Sequence, residues 1–180
     1  MHTPADRQIY HHFARLLSYP ETDLLQVARQ CRGCLTDLSS AATEPLTHFV
    51  DFVQTTERKQ IEETYTATFD LQPVCHPYIG YQLCGENQKR TLFLMKLEEL
   101  YREHNFVAET ELQDHVSEVM RFISITDDPQ CRQDIISDGL LPALEKIIQA
   151  IDNEHHPYQG LLEALHSFMS ERSVEKGAVS

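Results

Sequence analysis

The chain has 180 residues, with 15 Lys plus Arg against 28 Asp plus Glu, a formal charge of −13 with histidine neutral. That length suits one domain with a real core, since roughly 70% of the unfolded surface is buried at this size, and two compact domains would be a squeeze. The charge argues against nonspecific binding to nucleic acid or anionic membrane, which need a positive footprint, and suits a basic partner or a solubilising surface.

The amino terminus, MHTPADRQIYHHF, carries charges and no apolar core of signal-peptide length. No later segment approaches the ~20 apolar residues of a membrane span, so a cytoplasmic chain without membrane insertion is expected. Five cysteines, Cys31, Cys34, Cys75, Cys84 and Cys131, form an odd set in a chain large enough to fold without staples, and read as reduced thiols.

Glycine is sparse, no Asn-Gly hairpin signal occurs, and strict apolar/polar alternation nowhere lasts a strand's length. The period is helical. Ile9, Phe13, Leu16 and Leu17 make one stripe, and after Pro20 a second runs through Leu24, Ala28, Cys31, Leu35 and Leu38. Pro45 opens a third segment with Leu46, Phe49, Val50 and Val53, and Ile61, Tyr65 and Phe69 mark a fourth. From Leu71 to Gly85 no residue is formally charged. Pro73 and Pro77 make its first part a loop, and Pro77 suits the first position of a short helix ending at Gly85.

The run TLFLMKLEELYREHNF is apolar almost all round from Leu92 to Leu97 and then amphipathic, which predicts a central helix packed on several sides. Three stripes follow: Val116, Val119, Met120 and Ile123; Leu141, Leu144, Ile148 and Ile151; Tyr158, Leu161, Leu162, Leu165 and Phe168. Asp127, Asp128 and Pro129 punctuate the first two, and His155, His156 and Pro157 the last two. Together these predict an all-α fold, a single compact domain of about eight to ten helices over residues 1–172, with a disordered tail at 173–180.

Several constellations invite chemistry. Cys31 and Cys34 form a Cys-x-x-Cys pair, but both fall on an apolar helical stripe and no second pair completes a tetrahedral site, so core packing explains them better. Glu163 and His166 make one Glu-x-x-His step where a di-iron bundle needs two, and the neighbours His11/His12 and His155/His156 diverge on a helix. Cys75-His76 lacks a third orienting group, and neither a nucleophile elbow nor a phosphate-cradling loop occurs. Two features survive. One is the uncharged aromatic segment around Phe69, Pro73, Pro77, Tyr78 and Tyr81, joined to GENQKR; it reads as a buried corner or as the floor of a recognition groove. The other is ELQDHVSEVMRF, where Glu111 and Asp114 are expected in a helix's first turn.

The stretch YTATFDLQPVCHPYIGYQLCGENQKRTLFLMKLEELYREHNF followed by ELQDHVSEVMRFI resembles the family of molybdoenzyme assembly chaperones typified by the nitrate reductase delta subunit, NarJ, with the TorD and DmsD redox-enzyme maturation proteins as relatives. The match covers residues 65–123, while LLSYPETDLL and LLPALEKIIQAI agree in place and character. The order Phe-Asp, Tyr-x-Gly-Tyr, Gly-Glu-x-x-x-Arg and Asp-His carries it. The resemblance implies an all-helical, non-enzymatic, cytoplasmic protein that binds the amino-terminal tail of a molybdenum-containing catalytic subunit. It would hold that subunit open for insertion of molybdopterin cofactor and iron–sulfur clusters, touching the cofactor at most transiently, and act as a monomer or weak dimer. A Glu-Pro-x-Asp-His element borders the leader pocket in the maturation branch and maps here onto Glu111, Leu112, Gln113, Asp114 and His115, with Leu112 in place of the proline. Cys84, Thr91 and Gln113 also depart from the usual residues, which leaves the client open.

A client tail is thus expected to lay an amphipathic helix against Tyr65, Phe69, Pro77, Tyr78 and Tyr81, with Glu111 and Asp114 holding its basic residues. His115 at the rim would make affinity vary between about pH 5 and 8. A cation at a helix start opposes the dipole, so Arg90 needs a tertiary partner; Asp70, the lone charge on the other flank of the uncharged segment, is the expected one. A helical metal or redox protein using the histidines and cysteines, or a permanent subunit of an enzyme complex, stays open as an alternative.

Overall fold

The computed structural model describes residues 3–71, 73–151, 153 and 155–174. Its α-helices are α1 (Pro4–Leu16), α2 (Leu24–Thr36), α3 (Ser40–Thr55), α4 (Arg58–Phe69), α5 (Ile79–Cys84), α6 (Gln88–Glu103), α7 (Val116–Ile125), α8 (Pro129–Asp134), α9 (Leu141–Ala150) and α10 (Pro157–Val174). A π-helical segment, Ile135–Leu140, joins α8 to α9 without a break, so the described residues form nine separate helical rods and no strand. The all-α expectation of eight to ten helices holds. The last helix, α10, runs to Val174, and residues 175–180, the rest of the expected tail, lie outside the described residues.

Local signals start and stop these helices. Thr3 and Asp6 form a capping box before α1, in which each side chain accepts a backbone N–H. Ser39 caps α3 by accepting from Ala42 N, so α3 begins five residues ahead of Pro45 and carries that proline inside its second turn, contrary to the expected start there. A satisfied cap outweighs one missing donor. Asp128 caps α8 with bonds of 2.9 and 3.0 Å from Gln130 N and Cys131 N, which gives the Asp-Pro pair its role as punctuation. Pro142 lies two residues after the π segment; its ring lacks a donor and presses on the preceding turn, and a π turn accommodates both.

In the core α1 packs on α7 and α2, and α3 on α10 and α2. Phe49, Tyr65, Phe69 and Tyr158 meet in one aromatic cluster, the Phe69 and Tyr158 rings standing edge to face with centroids 4.9 Å apart. Cys31 is fully buried in the same core, as its stripe position implied. The largest departure is α6. Only Arg90, Leu97 and Tyr101 are buried along it, while Leu92 and Met95 are 53% and 62% exposed. An all-round apolar pattern predicted packing on several sides, but the fold supplies neighbours on one side and leaves the other apolar face open.

Candidate functional site

The uncharged segment and the Asp-His element meet through the backbone. Tyr78 and His115 form an isolated antiparallel bridge, in which Ile79 N donates to Asp114 O at 2.7 Å and Val116 N donates to Pro77 O at 2.9 Å. This bridge delivers Asp114 to the start of α5, where Gly80 N donates to its Oδ2 at 3.1 Å. A Cβ on Gly80 would sit 2.7 Å from that same oxygen and 2.8 Å from Phe93 Cδ1, so the approach of α5 to α6 requires a glycine. Gly85 then ends α5 at a φ of 74°.

Arg90 completes the junction. Its Nε donates to Asp114 Oδ2 at 3.0 Å and its Nη2 to Oδ1 at 3.2 Å, while its Nη1 pairs with Glu86. The guanidinium also lies 5.2 Å from the ring centroid of Tyr78 and 6.0 Å from that of Tyr81. Asn87 caps α6 by accepting from Lys89 N, which relieves the cation-bearing first turn. The expected pair with Asp70 is therefore corrected: the partner is Asp114. Asp70 is exposed at the end of α4, where water solvates it, whereas the Asp114 side chain is wholly buried and needs a cation.

Burial sorts the remaining expected contact residues. Tyr65, Phe69 and Pro77 are buried, Asp114 is 0% exposed and His115 1%, so these five support the corner and do not form its contact surface. Tyr78 and Tyr81 are half-buried and Glu111 is exposed, leaving these three at the surface. Tyr78 Oη donates to Glu111 Oε2 at 3.2 Å. Burial pushes the Tyr78 phenol up to about 12, with the Glu111 charge adding to it. The Glu111 carboxyl is raised by partial burial and by the charges of Asp70 and Glu118, against the Tyr78 hydrogen bond.

His115 sits at the N-cap of α7, its Nδ1 accepting from Ser117 N at 3.1 Å and lying 2.6 Å from Ser117 Oγ. Burial lowers its pKa to about 4, so it stays neutral across the range in which a rim histidine was expected to titrate. Glu111 and Asp114 precede α7; the acid in its first turn is Glu118. That carboxylate, fully buried, accepts from Thr110 Oγ1 at 2.8 Å and Arg121 Nη1 at 2.7 Å, tying the segment after α6 to α7.

Beside this corner runs a groove of about 280 Å³ that sequence reasoning missed. Phe93, Leu97 and Leu100 of α6 form one wall, Ile135 of the π segment the other, and Ile79 and Val119 the floor. Lys96 stands on the α6 rim, Asp134 and Asp138 on the opposite one. The available signal was the Phe93, Leu97 and Leu100 recurrence within an all-round apolar run; what hid it was the absence of any sequence cue for Ile135 opposite.

Among the described residues no three His, Cys, Asp or Glu side chains are grouped to hold a metal. Burial pushes the Cys31 thiol far up and that of Cys75 up to about 12, and His76 turns away to stack on Tyr81 at 4.0 Å. No described helix is long and apolar enough to cross a membrane.

Comparison with known proteins places this architecture. A solved structure assigned as a redox enzyme maturation protein from Archaeoglobus fulgidus superposes with a TM-score of 0.62 at 18% identity, covering 94% of this chain and 95% of the other, a likeness of fold. A relative assigned as the nitrate reductase molybdenum cofactor assembly chaperone NarJ of Bacillus subtilis (strain 168) is 23% identical over 163 residues, 89% of this chain and 88% of the relative. Residues 35–172 match the family model of the nitrate reductase delta subunit. With that match spanning most of its length, the chain belongs to the nitrate reductase delta subunit family.

Proposed function

We propose that the protein is a dedicated cytoplasmic chaperone, not an enzyme, that binds the amino-terminal tail of the catalytic subunit of a molybdoenzyme and assists molybdenum cofactor insertion and complex assembly. Nitrate reductase is the first client to test, given the family and the NarJ relative. The cofactor passes to the client without stable residence on the chaperone.

The observation that carries this reading is α6: the Asp114–Arg90 junction fixes its first turn, yet Leu92 and Met95 stay exposed and Phe93 half-buried. A rigid helix with an unpartnered apolar side is what helix-in-groove recognition needs, because little ordering cost remains to be met on binding. Tyr78, Tyr81 and Glu111, which also reach the surface, remain candidates for part of the contact. The charge of −13 favours encounter with a basic tail.

The experiment is a tagged capture from the native cells during anaerobic respiration, with mass spectrometry of bound proteins and a molybdopterin assay of the same eluate. A large molybdoenzyme subunit, poor in cofactor and lost as maturation proceeds, is the expected result. An eluate holding only this protein with stoichiometric metal overturns the reading in favour of a metal protein. A molybdoenzyme fully loaded with cofactor that retains the chain makes it a permanent subunit instead.

A further inference from the structure

We propose that two copies of the chain pair through the open side of α6, antiparallel and about a twofold axis, and so cover that side in the free protein. The pairing stands on the charge pattern of α6 alone; its regulatory consequence, given below, rests on the chaperone reading.

Lys89, Leu92, Lys96, Glu99 and Glu103 follow one another at steps of three and four, so they form one stripe along α6, with Met95 beside Leu92 and Glu99. All six are exposed. The stripe is basic at Lys89 and Lys96 and then acidic at Glu99 and Glu103, the reverse of what the helix dipole favours. Among the described residues none of these four charges has an ion-pair partner, whereas the neighbouring Glu98 and Arg102 satisfy each other at 4.0 Å.

Such a stripe complements itself when reversed. An antiparallel copy brings Lys89 and Lys96 of each chain alongside Glu103 and Glu99 of the other, opposes the two helix dipoles, and takes Leu92 and Met95 out of water. A uniformly basic or uniformly acidic partner matches only half of the stripe. Two terms keep the pairing weak. A charge of −13 on each copy opposes encounter, and a contact confined to one pair of 16-residue helices falls below the ~1,200 Å² of a stable interface. The association is therefore reversible and depends on protein concentration.

Leu92 and Met95 are the residues whose exposure carries the chaperone reading, and pairing hides both. A free copy thus keeps its apolar side closed against aggregation and against wrong partners, and a client displaces the second copy to reach it.

The test is sedimentation of the purified full chain over a wide concentration range, where the 20.8 kDa species is expected to pass reversibly into one of twice that mass. Lys89→Glu with Lys96→Glu makes the stripe all acidic, and Glu99→Lys with Glu103→Lys makes it all basic; each variant alone is expected to self-associate about tenfold more weakly, and an equal mixture of the two to recover the pair. Lys89→Glu and Glu103→Lys both suit the dipole, so the melting temperature of each variant holds or rises and a lost pair is not a lost fold. Net charge alone predicts the opposite for the basic variant, which is less negative than wild type and would associate more strongly. A wild type that stays at 20.8 kDa throughout, or variants that associate as wild type does, overturns the pairing and leaves the chaperone reading standing. Adding a peptide from the amino terminus of the catalytic subunit recovered in the capture is expected to shift wild type towards the single chain, and a pair that carries the peptide overturns the masking. A capture that recovers no molybdoenzyme subunit overturns the chaperone reading and leaves the pairing to the sedimentation result.

Discussion

Arg90 and Asp114 lie 24 residues apart in sequence and 3.0 Å apart in space, with side chains 9% and 0% exposed. Three N–H groups, two from Arg90 and one from Gly80, converge on one buried carboxylate, so α5, α6 and the approach to α7 share a single electrostatic anchor. The anchor explains how an acidic chain tolerates a cation at a helix start: the dipole costs ~0.3–1 kcal/mol, and a buried, bidentate pair exceeds that.

Breaking that pair leaves a charge without its partner in the interior. Arg90→Gln or Asp114→Ala is expected to destabilise the fold by about 3–5 kcal/mol, roughly 10 °C in melting temperature for a chain of this size. Asp70→Asn, at an exposed position, is expected to stay within ~0.5 kcal/mol. Thermal melts of the three variants check this, and a melt in which Asp70→Asn matches Arg90→Gln restores the rejected pairing.

Gly80→Ala places a methyl group against an oxygen that is already bonded from two sides, with Phe93 closing the third. The expected loss is about 1–3 kcal/mol by overpacking, although alanine is the better helix former. Chemical denaturation measures it. A stabilised variant would mean that α5 and α6 separate freely, contrary to the anchor.

His115 makes stability depend on pH. Its pKa is held near 4 by burial, below the ordinary value of 6.5. Between those two values the unfolded chain carries a proton that the folded chain lacks, so this contribution to stability is whole above about pH 6.5, declines as pH falls, and levels off below about 4. The full loss is on the order of 3 kcal/mol. His115→Asn, which keeps a cap acceptor, is expected to flatten the pH dependence of the melting temperature between 6.5 and 4. A client affinity that titrates with His115 between pH 5 and 8 would contradict its burial.

The cysteines should divide by accessibility. Cys31 and Cys75 are buried with thiols pushed up by desolvation, while Cys34, Cys84 and Cys131 are partly exposed. Iodoacetamide treatment of the native protein is expected to modify only the latter three, and peptide mass spectrometry reads the sites. Rapid modification of Cys75 would reopen a nucleophilic role for the Cys75-His76 pair.

Helical periodicity, the Asp128-Pro129 boundary, the end of α5 at Gly85 and the core placement of Cys31 were all legible in the sequence, because each is set by neighbours within a turn or two. The order of aromatic and charged residues from Tyr65 to Ile123 also carried the family resemblance, which the family match bears out. What stayed illegible were the long-range choices. Asp70 and Asp114 are the same residue type at similar distance from Arg90 along the chain; only the Tyr78–His115 bridge, which buries one and leaves the other in water, decides between them. Likewise an all-round apolar helix does not state which of its sides the fold covers. That depends on where α5, α7 and the π segment come to rest, and their packing turns the run from Leu92 to Leu100 into one wall of a groove with its other face in solvent.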